Sequence, residues 1–282
     1  MLGRETLADR YAVIGNPIKQ SKSPWIHARF AELTQQNLEY SAMLVELDEF
    51  ERRVMEFFDY GGKGLNITVP FKERAWAMAG RHSEAASLAR AVNTLYRDFD
   101  GVLVGANTDG TGLLRDLKQN HHADLKEKRI LLLGAGGAAK GVLHNLIAEI
   151  PSAIYIANRT IEKAEALAEI AQGKVKIYPV QYADIPHEAF DFVINGTSAG
   201  LQGDLPALHS SIVSANTWCY DMIYGEGDTR FQAWAKSLGA AKALGGLGML
   251  VEQAAESFRI WRGCNPQTDS VIGHLRQLLA HD

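Results

Sequence analysis

The sequence predicts an α/β protein of two lobes, with one lobe inserted into the other. Three observations lead there. Strand-like and helix-like patterns alternate along the chain, most regularly in its middle third, and such alternation builds parallel βαβ units. An apolar run at 129–133 passes straight into the glycine-rich turn Gly134-Ala135-Gly136-Gly137-Ala138-Ala139 and then into a helical pattern. Two helical stretches, 248–262 and 268–280, follow Gly245-Gly246 and are expected to return to the first lobe. The length of 282 residues suits two cores and is marginal for three. The expected division is 1–107 plus 246–282 for the first lobe and 108–245 for the inserted one.

Each element has a local reason. Residues 11–14 form a short apolar strand that stops at Gly15-Asn16-Pro17, a turn signal. Ser23 can cap the next helix, Pro24 suits its first position, and Ile26, Phe30 and Leu33 keep helical spacing. Residues 40–44 read as a strand and 50–58 as an amphipathic helix, with a break at Gly61-Gly62. The β-branched run 65–69 ends at Pro70, and a short helix follows with Phe71, Lys72 and Trp76. Strands at 92–99 and 102–104 flank Asp100-Gly101, a hairpin turn. Beyond the strand at 129–133, a helix is expected over 136–150, a strand over 153–157, a helix over 161–171 and a strand over 174–180. Strands at 190–194 and 217–220 and a helix at 231–238 complete the inserted lobe.

Composition excludes several classes. The apolar fraction of 46% and charged fraction of 22% are ordinary for a globular chain. A formal charge of −4 offers no basic footprint, so no nucleic-acid partner is expected. Two cysteines, Cys219 and Cys264, cannot form a disulfide framework and fit a reducing compartment. Arg4, Glu5, Asp9 and Arg10 interrupt any leader-like apolar stretch. Residues 130–150 are broken by glycines, Lys140, His144 and Glu149, short of the roughly 20 apolar residues a membrane span needs. A cytoplasmic protein with no membrane partner is therefore expected. The nine histidines show no ligand spacing, and His121-His122 reads as a loop, so no metal is expected.

The turn at 134–139 has the form of a Rossmann-type dinucleotide site. Gly134 permits the tight turn, Gly136 lets backbone approach a pyrophosphate, and Ala139 is small enough for helix and strand to pack closely. The helix N-terminus then presents free N–H groups and positive dipole to phosphate. The end of the next strand selects the nucleotide. An NAD site carries Asp or Glu there for the ribose 2′-hydroxyl. Here the end reads Asn158-Arg159-Thr160, with Lys163 one turn later. Arg159 can grip a 2′-phosphate with its planar fork, so NADP is the expected cofactor. Thr160 can also cap the following helix. Asn195-Gly196-Thr197-Ser198 lies at a strand's carboxyl end, where ligands bind in open sheets. Gly245-Gly246-Leu247-Gly248 reads equally as a nicotinamide contact or as a hinge or helix start.

Outside the inserted lobe, polar residues stand where apolar ones would be expected: Ser21, Ser23, Asn66, Thr68, Lys72 and Asn93, with Asn107, Thr108 and Asp109 at the junction of the lobes. Alternation would place Asn66 and Thr68 on one strand face. These segments resemble the shikimate dehydrogenase family. The strings are Gly15-Asn16-Pro17 with Ser21-Lys22-Ser23-Pro24, Asn66-Ile67-Thr68-Val69-Pro70-Phe71-Lys72, Ala91-Val92-Asn93-Thr94, Asn107-Thr108-Asp109-Gly110, the glycine turn, Asn158-Arg159-Thr160, Tyr220-Asp221-Met222-Ile223-Tyr224, and Gly246-Leu247-Gly248-Met249-Leu250 leading to Gln253. They span nearly the whole chain in family order. Leu65 and Gly245 are small departures outside any proposed catalytic role.

The resemblance implies reversible NADP-linked reduction of 3-dehydroshikimate to shikimate, on the route to chorismate and the aromatic amino acids. It implies a shikimate pocket of Ser21, Ser23, Asn66, Thr68, Lys72, Asn93, Asp109, Tyr224 and Gln253, with Lys72 and Asp109 as the catalytic pair. It implies cofactor contacts at Glu84, Gly134, Ala135, Gly136, Gly137, Ala138, Asn158, Arg159, Thr160, Lys163, Thr197, Met222 and Gly246. The residue types suit the chemistry. A polyhydroxylated carboxylate needs neutral hydrogen-bond partners, and no Arg is in the set, so the two serines and Tyr224 would hold the carboxylate through hydroxyls. Hydride delivery to a ketone makes an alkoxide, and the Lys72 ammonium can protonate it; Asp109 would orient Lys72. Plainer readings stay open: Asp109 as a helix cap, Lys72 as a solvated charge, Gln253 as an exposed helix residue. Two rival functions are a quinate/shikimate dehydrogenase and a non-catalytic NADP-sensing protein. A homodimer is compatible with the sequence, and two connections between the lobes make hinge closure an expectation.

Overall fold

The computed structural model describes residues 7–169, 173, 175–197 and 205–280. It is a mixed α/β chain that divides into two compact units. One comprises the described residues up to Thr108 together with Gln253–Val271; the other comprises Asp109–Glu252 and the residues from Ile272 onward.

In the first unit the strands are β1 (Asp9–Gly15), β2 (Leu38–Leu44), β3 (Gly64–Ile67), β4 (Arg81–His82), β5 (Thr94–Arg97) and β6 (Leu103–Ala106). They form one sheet in the order β2-β1-β3-β5-β6-β4. β1 pairs in parallel with β2 and β3, β5 runs antiparallel to β3 and β6, and β4 is parallel to β6. The helices are α1 (Ser23–Thr34), α2 (Phe50–Asp59), α3 (Lys72–Met78) and α4 (Glu84–Ala89). The core forms because α2 turns Phe50, Val54 and Phe58, at four-residue spacing, onto Ala12, Ile14, Leu65 and Ile67 of the sheet. The β5–β6 hairpin turns through Gly101, whose φ is +77°, and the Asp98 carboxylate accepts the N–H groups of Asp100 and Val102 at 3.0 Å each.

Several expectations need correction here. Ser23 does not cap α1: Lys22 holds the cap position without a side-chain bond, and the Ser21 hydroxyl accepts the Ser23 N–H at 3.3 Å. Leu33 is 41% exposed, off the buried face of Ile26 and Phe30. β3 ends at Ile67, so Thr68 lies beyond the regular strand, although its N–H still reaches Ile14 O at 2.9 Å. β4 and α4 are too short to leave a periodic signal.

In the second unit α5 (Asp109–Arg115) runs into a single π-helical turn, Asp116–Asn120. The strands β7 (Arg129–Leu133), β8 (Ala153–Ala157), β9 (Ile177–Val180), β10 (Phe192–Asn195), β11 (Trp218–Asp221) and β12 (Lys242–Gly245) make a wholly parallel sheet. Its order is β12-β11-β10-β7-β8-β9. Counted from β7 this is the 3-2-1-4-5-6 order of a Rossmann sheet, with its switch point between β7 and β10. The helices between strands include α6 (Gly137–Ala148), α7 (Ile161–Ala168) and α8 (Arg230–Ser237). Leu131, Leu133 and Val193 fill one face of the sheet and Ile130, Leu132 and Ile194 the other, which explains the unbroken apolar runs. The helix expected over 161–171 ends at Ala168, with 170–172 outside the described residues; the strand expected over 174–180 is described from Ile177. β12 escaped the sequence reading.

The chain closes with α9 (Leu247–Arg262) and α10 (Asp269–Leu279). Residues 246–252 and 272–280 group with the second unit, whereas the expectation gave all of 246–282 to the first. The start of α9 belongs there because Gly248 packs directly on the Asp116 carboxylate, which also accepts the Tyr220 hydroxyl at 2.6 Å.

Candidate active site

In the first unit the polar residues gather at one sheet edge. Ser21 and Ser23 follow the carboxyl end of β1, Thr68 and Lys72 follow that of β3, and Asn93 enters β5, which runs antiparallel to β3. The loops after β1 and β3 interlock: Asn16 N–H donates to Val69 O at 3.1 Å, and a Cβ on Gly15 would meet Thr68 Cγ2 at 2.5 Å. Lys72 opens α3. Its carbonyl accepts the Val92 N–H at 2.9 Å, and the neighbouring Phe71 is fully buried, stacked on Phe50 with centroids 4.6 Å apart. The half-buried Lys72 is thus placed by one anchor on its own carbonyl and one on the residue before it.

Asn66, Asn93 and Gln253 form one hydrogen-bonded cluster. Asn66 Nδ2 donates to Asn93 O at 3.0 Å, and Asn93 Nδ2 donates to Gln253 Oε1 at 3.3 Å and to Thr108 Oγ1 at 2.8 Å. Asn93 Oδ1 accepts the Thr108 N–H at 3.0 Å and the Thr94 hydroxyl at 2.8 Å. Gln253 is therefore more than an exposed helix residue. Tyr40, Thr94 and Ser257 join the cluster without having been assigned there from the sequence. Ser257 was findable, one helical turn after Gln253 on the same face of α9. Tyr40 carried no signal, because only the fold sets β2 beside β1.

Beneath the cluster His27 is 1% exposed and stacks on Tyr40 at 4.1 Å with the rings 4° from parallel. Burial drives its imidazole down to about 3, keeping it neutral, and pushes the Tyr40 hydroxyl well above its usual range.

In the second unit the glycine turn lies at the sheet's switch point. Gly134 has φ +98°, and a Cβ there would meet Gly196 O at 3.2 Å. Gly136 occupies the cap position of α6 with no side-chain cap, so the first N–H groups of the helix are left for another acceptor. Among the described residues, a Cβ on Gly136 or Gly137 would meet no atom within 4 Å outside its own stretch of chain. Packing does not demand glycine at these two positions; open space in front of uncapped N–H groups suits a pyrophosphate. Ala135 is buried and Ala138 half-buried.

At the tip of β8, Arg159, Thr160 and Lys163 are exposed, and Asn158 Nδ2 donates to Thr160 O at 2.8 Å. Thr160 holds the cap position of α7, but its hydroxyl makes no cap bond, contrary to expectation. Among the described residues no carboxylate pairs with Arg159 or Lys163. Asn195 ties the ends of β10 and β11 together: its Oδ1 accepts the Thr197 hydroxyl at 2.7 Å and its Nδ2 donates to Asp221 Oδ1 at 3.1 Å. Asp221 is fully buried, and burial raises its carboxyl above the ordinary value despite the Thr229 hydroxyl on it. Gly246 packs on the Met222 carbonyl, and a Cβ on Gly196 would meet Met222 Sδ at 3.2 Å, so Gly134, Gly196, Thr197, Met222 and Gly246 line one end of the sheet. Ser198 lies outside the described residues.

Two residues of the proposed substrate pocket also fall in this unit. Asp109 is 5% exposed as the first residue of α5, inside the helix rather than capping it, and Tyr224 is half-buried with its hydroxyl raised by burial. Glu84 belongs to the first unit, exposed at the start of α4, where the Ser83 hydroxyl is the cap.

Three family models match in succession: the shikimate dehydrogenase substrate binding domain over 13–95, shikimate / quinate 5-dehydrogenase over 116–202, and the shikimate 5'-dehydrogenase C-terminal domain over 246–276. A curated relative from Alkalilimnicola ehrlichii, shikimate dehydrogenase (NADP(+)), is 54% identical over 96% of this chain and 99% of its own. The chain belongs to the shikimate dehydrogenase family. A second relative of the same name, from Marinobacter nauticus, is 50% identical over 95% of this chain and 98% of its own. The solved structure of an Ael1 enzyme from Pseudomonas putida matches with a TM-score of 0.89 at 47% identity, covering 95% of this chain and 98% of that one. A member of the shikimate dehydrogenase family is an oxidoreductase, and the parallel sheet of Rossmann order in the second unit accords with that. Among the described residues no helix is long and apolar enough to cross a membrane.

Proposed function

We propose that the chain catalyses the reversible, NADP-linked reduction of 3-dehydroshikimate to shikimate, on the route to chorismate and the aromatic amino acids. The observation that carries the reading is identity of about half over nearly the full length with shikimate dehydrogenases named for NADP(+). The exposed guanidinium of Arg159 at the tip of β8, with Lys163 on the following turn, supports the 2′-phosphate form of the nucleotide.

The roles follow from the residues. NADP, when bound, supplies or accepts the hydride. The α6 N-terminus with Gly134, Ala135, Gly136, Gly137 and Ala138 would hold its pyrophosphate; Asn158, Arg159, Thr160 and Lys163 its adenosine phosphate; Thr197, Met222 and Gly246, with Glu84, are its further proposed contacts. Ser21, Ser23 and Tyr224 would hold the substrate carboxylate through hydroxyls, and Asn66, Thr68, Asn93 and Gln253 its ring hydroxyls. The Lys72 ammonium would give a proton to the forming alkoxide and take it back in the reverse direction, with Asp109 as the second member of the pair. The free thiols of Cys219 and Cys264 support a cytoplasmic location, and a homodimer is the assembly to look for by light scattering.

Purified protein should consume NADPH when 3-dehydroshikimate is added, followed by its absorbance. No decay would favour a cofactor-sensing protein. The description shikimate / quinate 5-dehydrogenase over 116–202 makes quinate the second substrate to run; faster turnover on quinate with NAD than on shikimate with NADP would replace this reading with the rival.

A further inference from the structure

We propose that Tyr40 and Ser257 are positioning residues that clamp the Asn66 amide, so that Asn66 meets substrate only as a hydrogen-bond acceptor. The inference rests on the functional reading above, in which Asn66 is a substrate ligand. A primary amide has two N–H donors and a carbonyl oxygen with two lone pairs. Asn66 Nδ2 faces three acceptors: Asn93 O at 3.0 Å, Ser257 Oγ at 3.0 Å and Thr94 Oγ1 at 3.3 Å. Both donors are spent inside the protein. The carbonyl of Asn93 can only accept, so it sets which end of the Asn66 amide faces it. Asn66 Oδ1 accepts the Tyr40 hydroxyl at 2.7 Å, which occupies one of its two lone pairs. A substrate group at Asn66 must therefore bring a proton: a hydroxyl is read there, and a keto or ether oxygen is not.

Each arm of the clamp is itself held. The Tyr40 ring is stacked on the buried His27 of α1. With the Thr94 proton on Asn93 Oδ1, the single Ser257 hydroxyl proton goes either to Thr94 Oγ1 at 2.8 Å or to Gln253 O at 3.1 Å, and both contacts hold the serine in place. The arms come from β2 and α9, so the clamp exists only where strand and helix meet on Asn66 within the first unit.

Tyr40→Phe keeps the ring for His27 and removes only the hydroxyl; Ser257→Ala removes one acceptor. Steady-state constants for shikimate and NADP, shikimate affinity by calorimetry and thermal midpoints are measured for wild type and both variants. Each variant should raise the shikimate KM and Kd by about 3- to 10-fold, the worth of one neutral hydrogen bond, while the NADP KM stays within about twofold. Unchanged shikimate KM and Kd in both variants would overturn the clamp. So would equal losses for both ligands in step with a lowered midpoint, which is what a merely structural role produces. A wild type that neither binds nor oxidises shikimate would bring down the functional reading and the clamp with it, an outcome distinct from a normal wild type with indifferent variants.

Discussion

Arg159 is exposed at a strand tip where its charge has no obvious structural use. A charge-assisted contact to phosphate is worth about 1.5–3 kcal/mol, so Arg159→Ala should weaken NADP by about 10-fold or more and change NAD little; equal losses, read by titrating both nucleotides, would remove the 2′-phosphate argument. Lys72 is anchored through its backbone by Val92 and beside it by Phe71, so its truncation should spare the fold. Lys72→Ala should lower kcat by about 10²-fold or more with KM little changed, and turnover at the wild-type rate would refute its role as acid and base. Asn66, Asn93 and Gln253 were legible as polar residues in family strings. Their partner Tyr40 lay in no such string, and Thr94 lay in one without a role, because a hydroxyl on a strand looks the same in sequence whether it meets water or a buried amide.

At the scale of elements, the clearest case is the N-terminus of α6. Gly134, with φ +98°, is demanded by the backbone, whereas Gly136 and Gly137 face open space. Gly136→Ala adds a methyl that meets no atom of the described residues outside its own stretch of chain, so the thermal midpoint should hold within a few degrees, while NADP affinity should fall by about 10-fold or more as the methyl takes room from the phosphates. A variant that binds NADP normally would count against this helix end as the phosphate site. The strands of the parallel sheet were readable because burial on both faces leaves runs such as Ile130 to Leu133. β4, β12 and α4 were not, since two to six residues carry no period. The caps at Ser23 and Thr160 were misjudged for a different reason: both residues sit at a helix start, but their hydroxyls do not bond the helix N–H groups.

For the whole molecule, the buried His27 predicts how stability follows pH. Its folded value of about 3 lies below the unfolded value of 6.5, so the unfolded chain takes up the proton first. The stability His27 contributes is present above about pH 6.5 and is lost as pH falls toward 3, at up to about 1.4 kcal/mol per unit. Denaturation midpoints measured from pH 7 to 4 should fall more steeply for the wild type than for His27→Leu; parallel slopes would mean the imidazole does not stay neutral in the fold. The two-unit division shows what a linear reading can reach. The glycine turn, the basic strand tip and the alternation of strands and helices determined an α/β chain with a Rossmann unit, because each is a local pattern with a local physical cause. Tertiary structure alone decided that the first turns of α9 side with Asp116, that Tyr40 and Ser257 close on Asn66, and that His27 lies buried without charge. Those outcomes depend on which distant segments share a low-dielectric interior, and separation along the chain does not encode that.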